Sequence, residues 1–113
     1  MFALREETTF AWPVIVKAPV GLQQLTVKFE ATFKVIPPEL VANYLSEGDV
    51  IGSLRVVREA LVSFKGVPVL DDADEEIDDL EIRKEIILSK PYFVDGLMIA
   101  YSNGVTGKKP KTS

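Results

Sequence analysis

The side chains that most often do chemistry in proteins are scarce in this sequence. Its 113 residues include no histidine and no cysteine. That removes the imidazole of acid–base catalysis and metal binding, and the thiol nucleophile. What remains is carboxylate. Asp71, Asp72, Asp74, Glu75, Glu76, Asp78, Asp79 and Glu81 crowd one short stretch, and such a run could offer hard oxygen ligands to calcium. An EF-hand loop counted from Asp72 has acids at its first, third and fifth positions. Ile77 then stands where the glycine turn is needed, and Arg83 where the closing glutamate belongs. The run is better explained as a solvated helix start, where the helix dipole favours acids. "GVTGKK" near the C-terminus has the outline of a phosphate loop. Its glycines, Gly104 and Gly107, are too close for a Walker motif, and no strand precedes them. No catalytic, metal-binding or cofactor-binding residue emerges, so the expectation is a protein that is not an enzyme and uses no cofactor.

Composition narrows the class further. An apolar content of 47% is that of a globular chain, and the length suits one domain with an ordinary core. A net charge of −4 weighs against nucleic-acid binding, which needs a basic surface for phosphate. No apolar run approaches the roughly 20 residues that span a bilayer, so no membrane association is expected. "MFALREETTF" has acids where a signal peptide needs a basic start and a long apolar stretch. The lack of cysteine fits a reducing compartment, and a cytoplasmic location is expected.

The elements begin with two alternating stretches. In "FAWPVIVK", residues 10–17, Phe10, Trp12, Val14 and Val16 share one face. Pro13 cannot donate to a ladder, which predicts an edge strand or a bulge there. "APVGLQ" is turn chemistry. In "LTVKFEATFKV", Leu25, Val27, Phe29, Ala31, Phe33 and Val35 alternate with Thr26, Lys28, Glu30, Thr32 and Lys34. The pair predicts an antiparallel β-hairpin over about residues 10–36. Taken with its flanks as "QLTVKFEATFKVI", the second strand outruns the first by about five residues, and an unpaired strand edge invites another chain. Leu25, Val27, Phe29 and Phe33 are therefore candidates for self-association.

Pro37 and Pro38 end the hairpin, and Pro38 suits the first turn of a helix. Leu40, Val41, Tyr44 and Leu45 then recur at helical spacing before a stop at Gly48. Asp49 caps an expected second helix with the stripe Val50, Leu54, Val57, Leu61 and Phe64, ending near Lys65-Gly66. A third helix follows the acidic run, with Ile77, Leu80, Ile87 and Leu88 near one face and Arg83, Lys84 and Lys90 toward its far end. Pro91 opens the last helix, "PYFVDGLMIAY". Residues 103–113 read as a flexible basic tail. The sequence thus predicts an α+β fold: an N-terminal hairpin and a small bundle of about four helices, in one domain over residues 1–102. Phe10 and Trp12 read as core. Tyr92, Phe93 and Tyr101 read as core or as anchors for a partner, since aromatics are favoured at interfaces.

This order of features resembles the tail assembly chaperones of long-tailed bacteriophages. The likeness covers about residues 10–101. It rests on "TVKFEATFKVIPPELV" with the preceding "WPVIVKAPV", on "VVREALVSFKGV", and on "PYFVDGLMIAY". Similar proteins often carry Gly-Trp where this chain has Ser63-Phe64, and a glycine turn where it has only acids before the third helix. The resemblance implies a non-enzymatic phage or prophage protein acting in the host bacterial cytoplasm. Such chaperones bind the tape measure protein, recruit tail tube subunits (the major tail protein) around it, and are absent from the mature virion. Coating a long client implies self-association into a ring or open spiral. The family often has a longer form made by a −1 frameshift. GGA-AAA-AAG would encode Gly107-Lys108-Lys109 and supply slippery bases for it; the alternative there is a lysine-rich solubilising end. Two other readings stay open: a structural minor tail or head–tail joining component of the virion, and a host regulatory or adaptor domain.

Overall fold

Alternation of apolar and polar residues on facing strands builds the first third of the molecule. The computed structural model describes residues 8–107. Strands β1 (Thr9–Val20) and β2 (Gln23–Lys34) pair antiparallel, from Thr9 opposite Lys34 to Val20 opposite Gln23. The register sets Phe10 beside Phe33, Val14 beside Phe29, Val16 beside Val27 and Ala18 beside Leu25. All of these belong to one face, because side chains alternate along a strand. The strands are both 12 residues long. The expected overhang of β2 is therefore absent: Ala18, Pro19 and Val20 continue β1, and Gly21-Leu22 alone make the turn. Gly21 has φ 61°, at the position where a II′ hairpin turn places glycine. Pro13 lies on β1, an edge strand of the sheet, as its missing N–H requires.

The other edge of β2 is taken by a strand that the helical stripe concealed. Helix α1 spans Pro38–Leu45 and α2 spans Asp49–Ala60; β3 (Leu61–Lys65) then pairs antiparallel with β2 in a sheet of order β1-β2-β3. The expected second helix thus ends five residues early, and Leu61 and Phe64 are strand residues. Their spacing of three imitates a helix because β3 is bulged. Phe64 faces Ala31, Ser63 faces Thr32, and Leu61 faces Phe33, so Val62 is an extra residue without an opposite number. A bulge of this kind shifts the alternation by one, and both Leu61 and Phe64 point inward while Val62 stays exposed. The helix's cap also differs from expectation. Gly48 is the N-cap of α2 and Asp49 its first residue.

Helix α3 (Leu80–Leu88) is capped by Asp79, whose Oδ1 accepts hydrogen bonds from the Glu81 N–H at 2.9 Å and the Ile82 N–H at 3.2 Å. The helix is short, so Arg83 and Lys84 fall in its middle rather than at its end, and Lys90 is the N-cap of α4. Helix α4 runs from Pro91 to Thr106 and closes on Gly107 in the left-handed region, φ 73°. The flexible tail expected from residue 103 is therefore helical as far as Thr106.

Packing explains that extension. Helix α4 lies on the apolar face of β1, with Gly96 against Val16 and Gly104 against Phe10. A Cβ on Gly96 would stand 2.7 Å from Val16 Cγ2 and 3.0 Å from the Ile15 carbonyl oxygen. Gly96, Ala100 and Gly104 form an i, i+4, i+8 row that lets the helix sit close to the sheet. The core between them holds Val14, Val16, Phe33, Val56, Val57 and Leu97, all essentially without solvent exposure. At its closed end the Tyr101 hydroxyl accepts a hydrogen bond from the Ile36 N–H at 3.1 Å. The fold is an antiparallel hairpin followed by four helices, with a short third strand inserted between the second and third of them.

Candidate functional surface

The acidic run has structural work of its own. The Asp71 Oδ1 accepts from the Ala73 N–H at 2.8 Å and the Glu75 N–H at 3.0 Å, closing an Asx-type turn. A bridge between Leu70 and Glu76 and a bond from the Ile77 N–H to the Val69 carbonyl, 2.8 Å, fasten the loop. Asp79 caps α3. Among the described residues no group of three or more acidic side chains is placed to hold a metal ion. The ion pairs are peripheral: Arg55 with Glu47 and Arg58 with Glu85, both at 3.0 Å, Lys65 with Glu30 at 3.3 Å and Lys34 with Glu59 at 3.6 Å. Exposed pairs of this kind contribute about 0–1 kcal/mol each. Arg83 is set differently, with its guanidinium 4.8 Å from the centre of the Phe64 ring and one N–H directed to the Val67 carbonyl at 3.3 Å.

The candidate residues of the hairpin divide into two groups along β2. Phe29 and Phe33 are enclosed by the chain's own helices and β3, so neither is a surface for another subunit. Phe29 packs against Phe64 and Phe93, with ring centres 6.3 and 5.9 Å apart. Phe33 packs against Phe10 and Tyr101 at 5.5 and 5.7 Å. Val27 is half-buried, and Leu25 is 56% exposed. The apolar face therefore leaves the core as it nears the turn. Val20 is also 56% exposed and Leu22, at the turn, fully so. Val20, Leu22 and Leu25 make an apolar tip on a molecule whose long axis, 44 Å, well exceeds its other extents of 29 and 28 Å. Beside this tip, the edge of β2 over residues 23–29 lies beyond the reach of β3.

The aromatic candidates divide in the same way. Tyr101 is buried, through its rings' contact with Phe10 and Phe33 and its bond to Ile36, and so is core rather than a partner anchor. Tyr92 and Phe93 are half-buried beside each other, 5.5 Å between ring centres, and keep an accessible side. Gly107 is the C-cap of α4. Lys108 and Lys109 lie outside the described residues.

Two apolar hollows accompany these surfaces. One, of about 370 Å³, lies between the start of α2 and the α3–α4 junction, with Val50, Leu54, Leu88 and Val94 in its wall and Asp49 and Asp95 beside them. The second, of about 440 Å³, lies between α1 and the last turns of α4. Val35, Ile36, Pro38, Val41 and Leu45 form one wall. Met98, Tyr101, Ser102, Val105 and Thr106 form the other. Among the described residues no charged side chain lines it. Of the tip the sequence names only Leu25, since "APVGLQ" reads as a turn, and the groove is not legible in it, since the end of α4 reads as a tail. Leu22, an apolar residue next to Gly21 within the turn, was the available signal for the tip.

The molecule is a small α+β globule with an apolar hairpin end and apolar interhelical hollows. No family model, curated protein or solved structure matches the chain. No helix among the described residues is long and apolar enough to cross a membrane.

Proposed function

We propose that this protein is a non-enzymatic tail assembly chaperone of a long-tailed phage or prophage. In this reading it acts in the host bacterial cytoplasm. It binds the tape measure protein, recruits tail tube subunits around it, and leaves before the virion is complete. The sequence landmarks in the hairpin, in "VVREALVSFKGV" and in "PYFVDGLMIAY" motivate the reading. The observation that carries it is the exposed apolar tip. Val20, Leu22 and Leu25 are uncovered at the end of a full-length hairpin, which suits a protein that holds apolar surfaces of other chains. Self-association into a ring or open spiral then runs through the tip and Val27 rather than through Phe29 and Phe33. A longer form, made by frameshifting at Gly107-Lys108-Lys109, belongs to the same proposal, and an added segment there would follow the end of α4.

The test is co-expression with a tape measure protein and a tail tube protein, whose genes this reading expects beside its own. The chaperone reading expects the tape measure protein to stay in the supernatant only when this chain is present, and purified tails to lack the chain by mass spectrometry. Stoichiometric retention in purified tails would replace it with the structural minor tail or head–tail joining component. Failure to affect or bind either protein would overturn both.

A further inference from the structure

The edge of β2 near the turn has the length and the chemistry to take a second copy of itself. Pro13 lies opposite Glu30 and Pro19 opposite Gln24. Neither proline has an N–H, and both occupy pairs of the hairpin that exchange no hydrogen bonds. The alternation then turns the N–H and C=O groups of Gln24, Thr26 and Lys28 away from β1. Glu30 follows the same alternation, and on that side it meets Lys65 of β3. Among the described residues no strand pairs there with Gln24, Thr26 or Lys28.

The described chain begins and ends at the far end of the hairpin. The Val35 N–H donates to the Thr8 carbonyl at 2.8 Å. Thr26 lies about 30 Å along the strand from Val35, whereas seven extended residues cover at most about 25 Å. Gly107 follows Gly104, which stands against Phe10 and hence beside Phe33. Phe33 is about 23 Å from Thr26, Gly107 lies most of a helical turn farther away, and six extended residues cover at most about 22 Å. Neither the segment before Thr8 nor the one after Gly107 reaches Thr26.

Strand β3 limits what can lie along this edge. Its last residue, Lys65, faces Glu30, and Gly66 sits beside Phe29, where a Cβ would stand 3.6 Å from the Phe29 Cα. An incoming strand must stop short of Phe29. A second copy's β1 does not fit. With Ile15 and Lys17, the outward residues between its prolines, set against this edge, its stretch back to Thr9 would run into the lane of β3. A second copy's β2 does fit, because its hairpin turns at Gly21-Leu22. With a two-fold axis at Leu25, Gln24 pairs with the partner's Thr26 and Thr26 with the partner's Gln24, each pair exchanging two hydrogen bonds. Leu25, 56% exposed, then faces the partner's Leu25 on the apolar side. Lys28, the one charged residue between 22 and 28, falls opposite the partner's Leu22. It lies about 20 Å from the partner's Lys28, so no like charges are opposed.

We propose that two copies of this chain pair along residues 22–28 of β2 about a two-fold axis at Leu25, joining their sheets into one. The contact is isologous, the commonest kind between identical chains. It does not rest on the assembly role; in that role the pair is the unit that a ring or spiral repeats.

The chain has no cysteine of its own, so single cysteines report the pairing. Residues opposed in a pair without hydrogen bonds have Cα atoms about 4.5 Å apart, within disulfide reach. Leu25→Cys should therefore form a covalent dimer under mild oxidation. Gln23→Cys and Lys28→Cys should stay monomeric, because each lies about 14 or 20 Å from its own copy. Sedimentation equilibrium of the native chain should show monomer and dimer in exchange. Thr26→Pro removes an outward N–H and leaves every bond to β1. It should raise the dimer dissociation constant about tenfold or more, with a native circular dichroism spectrum. A native chain that is monomeric at every concentration would overturn the proposal and leave the edge to an extended segment of another protein. Cross-linking through Gln23→Cys or Lys28→Cys in place of Leu25→Cys would overturn it by placing the axis elsewhere. A native dissociation constant in Thr26→Pro would do the same, and if that variant does not fold the cross-linking pattern decides alone.

Discussion

Replacing Tyr101 with phenylalanine removes a single oxygen from the closed end of the core and leaves the ring in place. The hydroxyl accepts from the Ile36 N–H at 3.1 Å, and Tyr101 and Ile36 are 3% and 4% exposed. Ile36 lies just beyond β2, which ends at Lys34, and just before Pro37. In Tyr101→Phe that N–H is buried with its acceptor gone, which costs about 1–3 kcal/mol. The ring contacts with Phe10 at 6.1 Å and Phe33 at 5.7 Å remain, so no cavity contribution is added. For a chain of this size unfolding in urea has a slope of about 1–3 kcal/mol/M. With a loss of about 2 kcal/mol and a slope of about 2 kcal/mol/M, the midpoint should fall by about 1 M. Circular dichroism and Trp12 fluorescence would follow the transition. Tyr101→Ala provides the scale, because it empties the ring's volume as well and should cost about 3–5 kcal/mol, as aromatic truncations do. A Tyr101→Phe variant within about 0.3 kcal/mol of the native protein, at unchanged slope, would refute the reasoning: the Ile36 N–H would then have another partner.

Other outcomes follow from the same geometry. Gly96→Val should destabilise by about 1–3 kcal/mol or more, since its Cβ alone would stand 2.7 Å from Val16 Cγ2; a native melting temperature would show that α4 does not seat there. Phe33→Asp should unfold the chain, because the residue has no solvent exposure and no basic partner in its aromatic surroundings; a native circular dichroism spectrum would contradict this. Leu22→Asp, at a fully exposed position, should leave stability within about 0.5 kcal/mol of native but abolish self-association in light scattering over a concentration series. A native chain that stays strictly monomeric at high concentration would remove the ring or spiral from the proposal.

The hairpin was legible because its signals are local. Alternation over Phe10 to Val16 and Leu25 to Phe33 fixes which side chains share a face, and backbone pairing needs only the antiparallel return that Gly21 permits. Pro37 and Pro38 mark the boundary to the helices through covalent restrictions of their own. Asp79 caps a helix with an oxygen two and three residues away, another short-range event. The absence of histidine and cysteine was equally readable, since residue types are composition.

What lay beyond the sequence depends on partners distant along the chain. Leu61 and Phe64 are three apart in a helix or in a bulged strand alike. Only the free edge of β2, some thirty residues earlier, selects the strand. Ser102, Asn103 and Gly104 are poor helix formers, yet α4 continues through them because Gly104 is held against Phe10. Phe29, Leu25 and Leu22 carry the same apolar label in the sequence. Which of them is core and which is tip was decided by how far α4, α2 and β3 reach along the hairpin. Burial is a property of the assembled layers, so the sequence could name the apolar face but not the point at which it leaves the core.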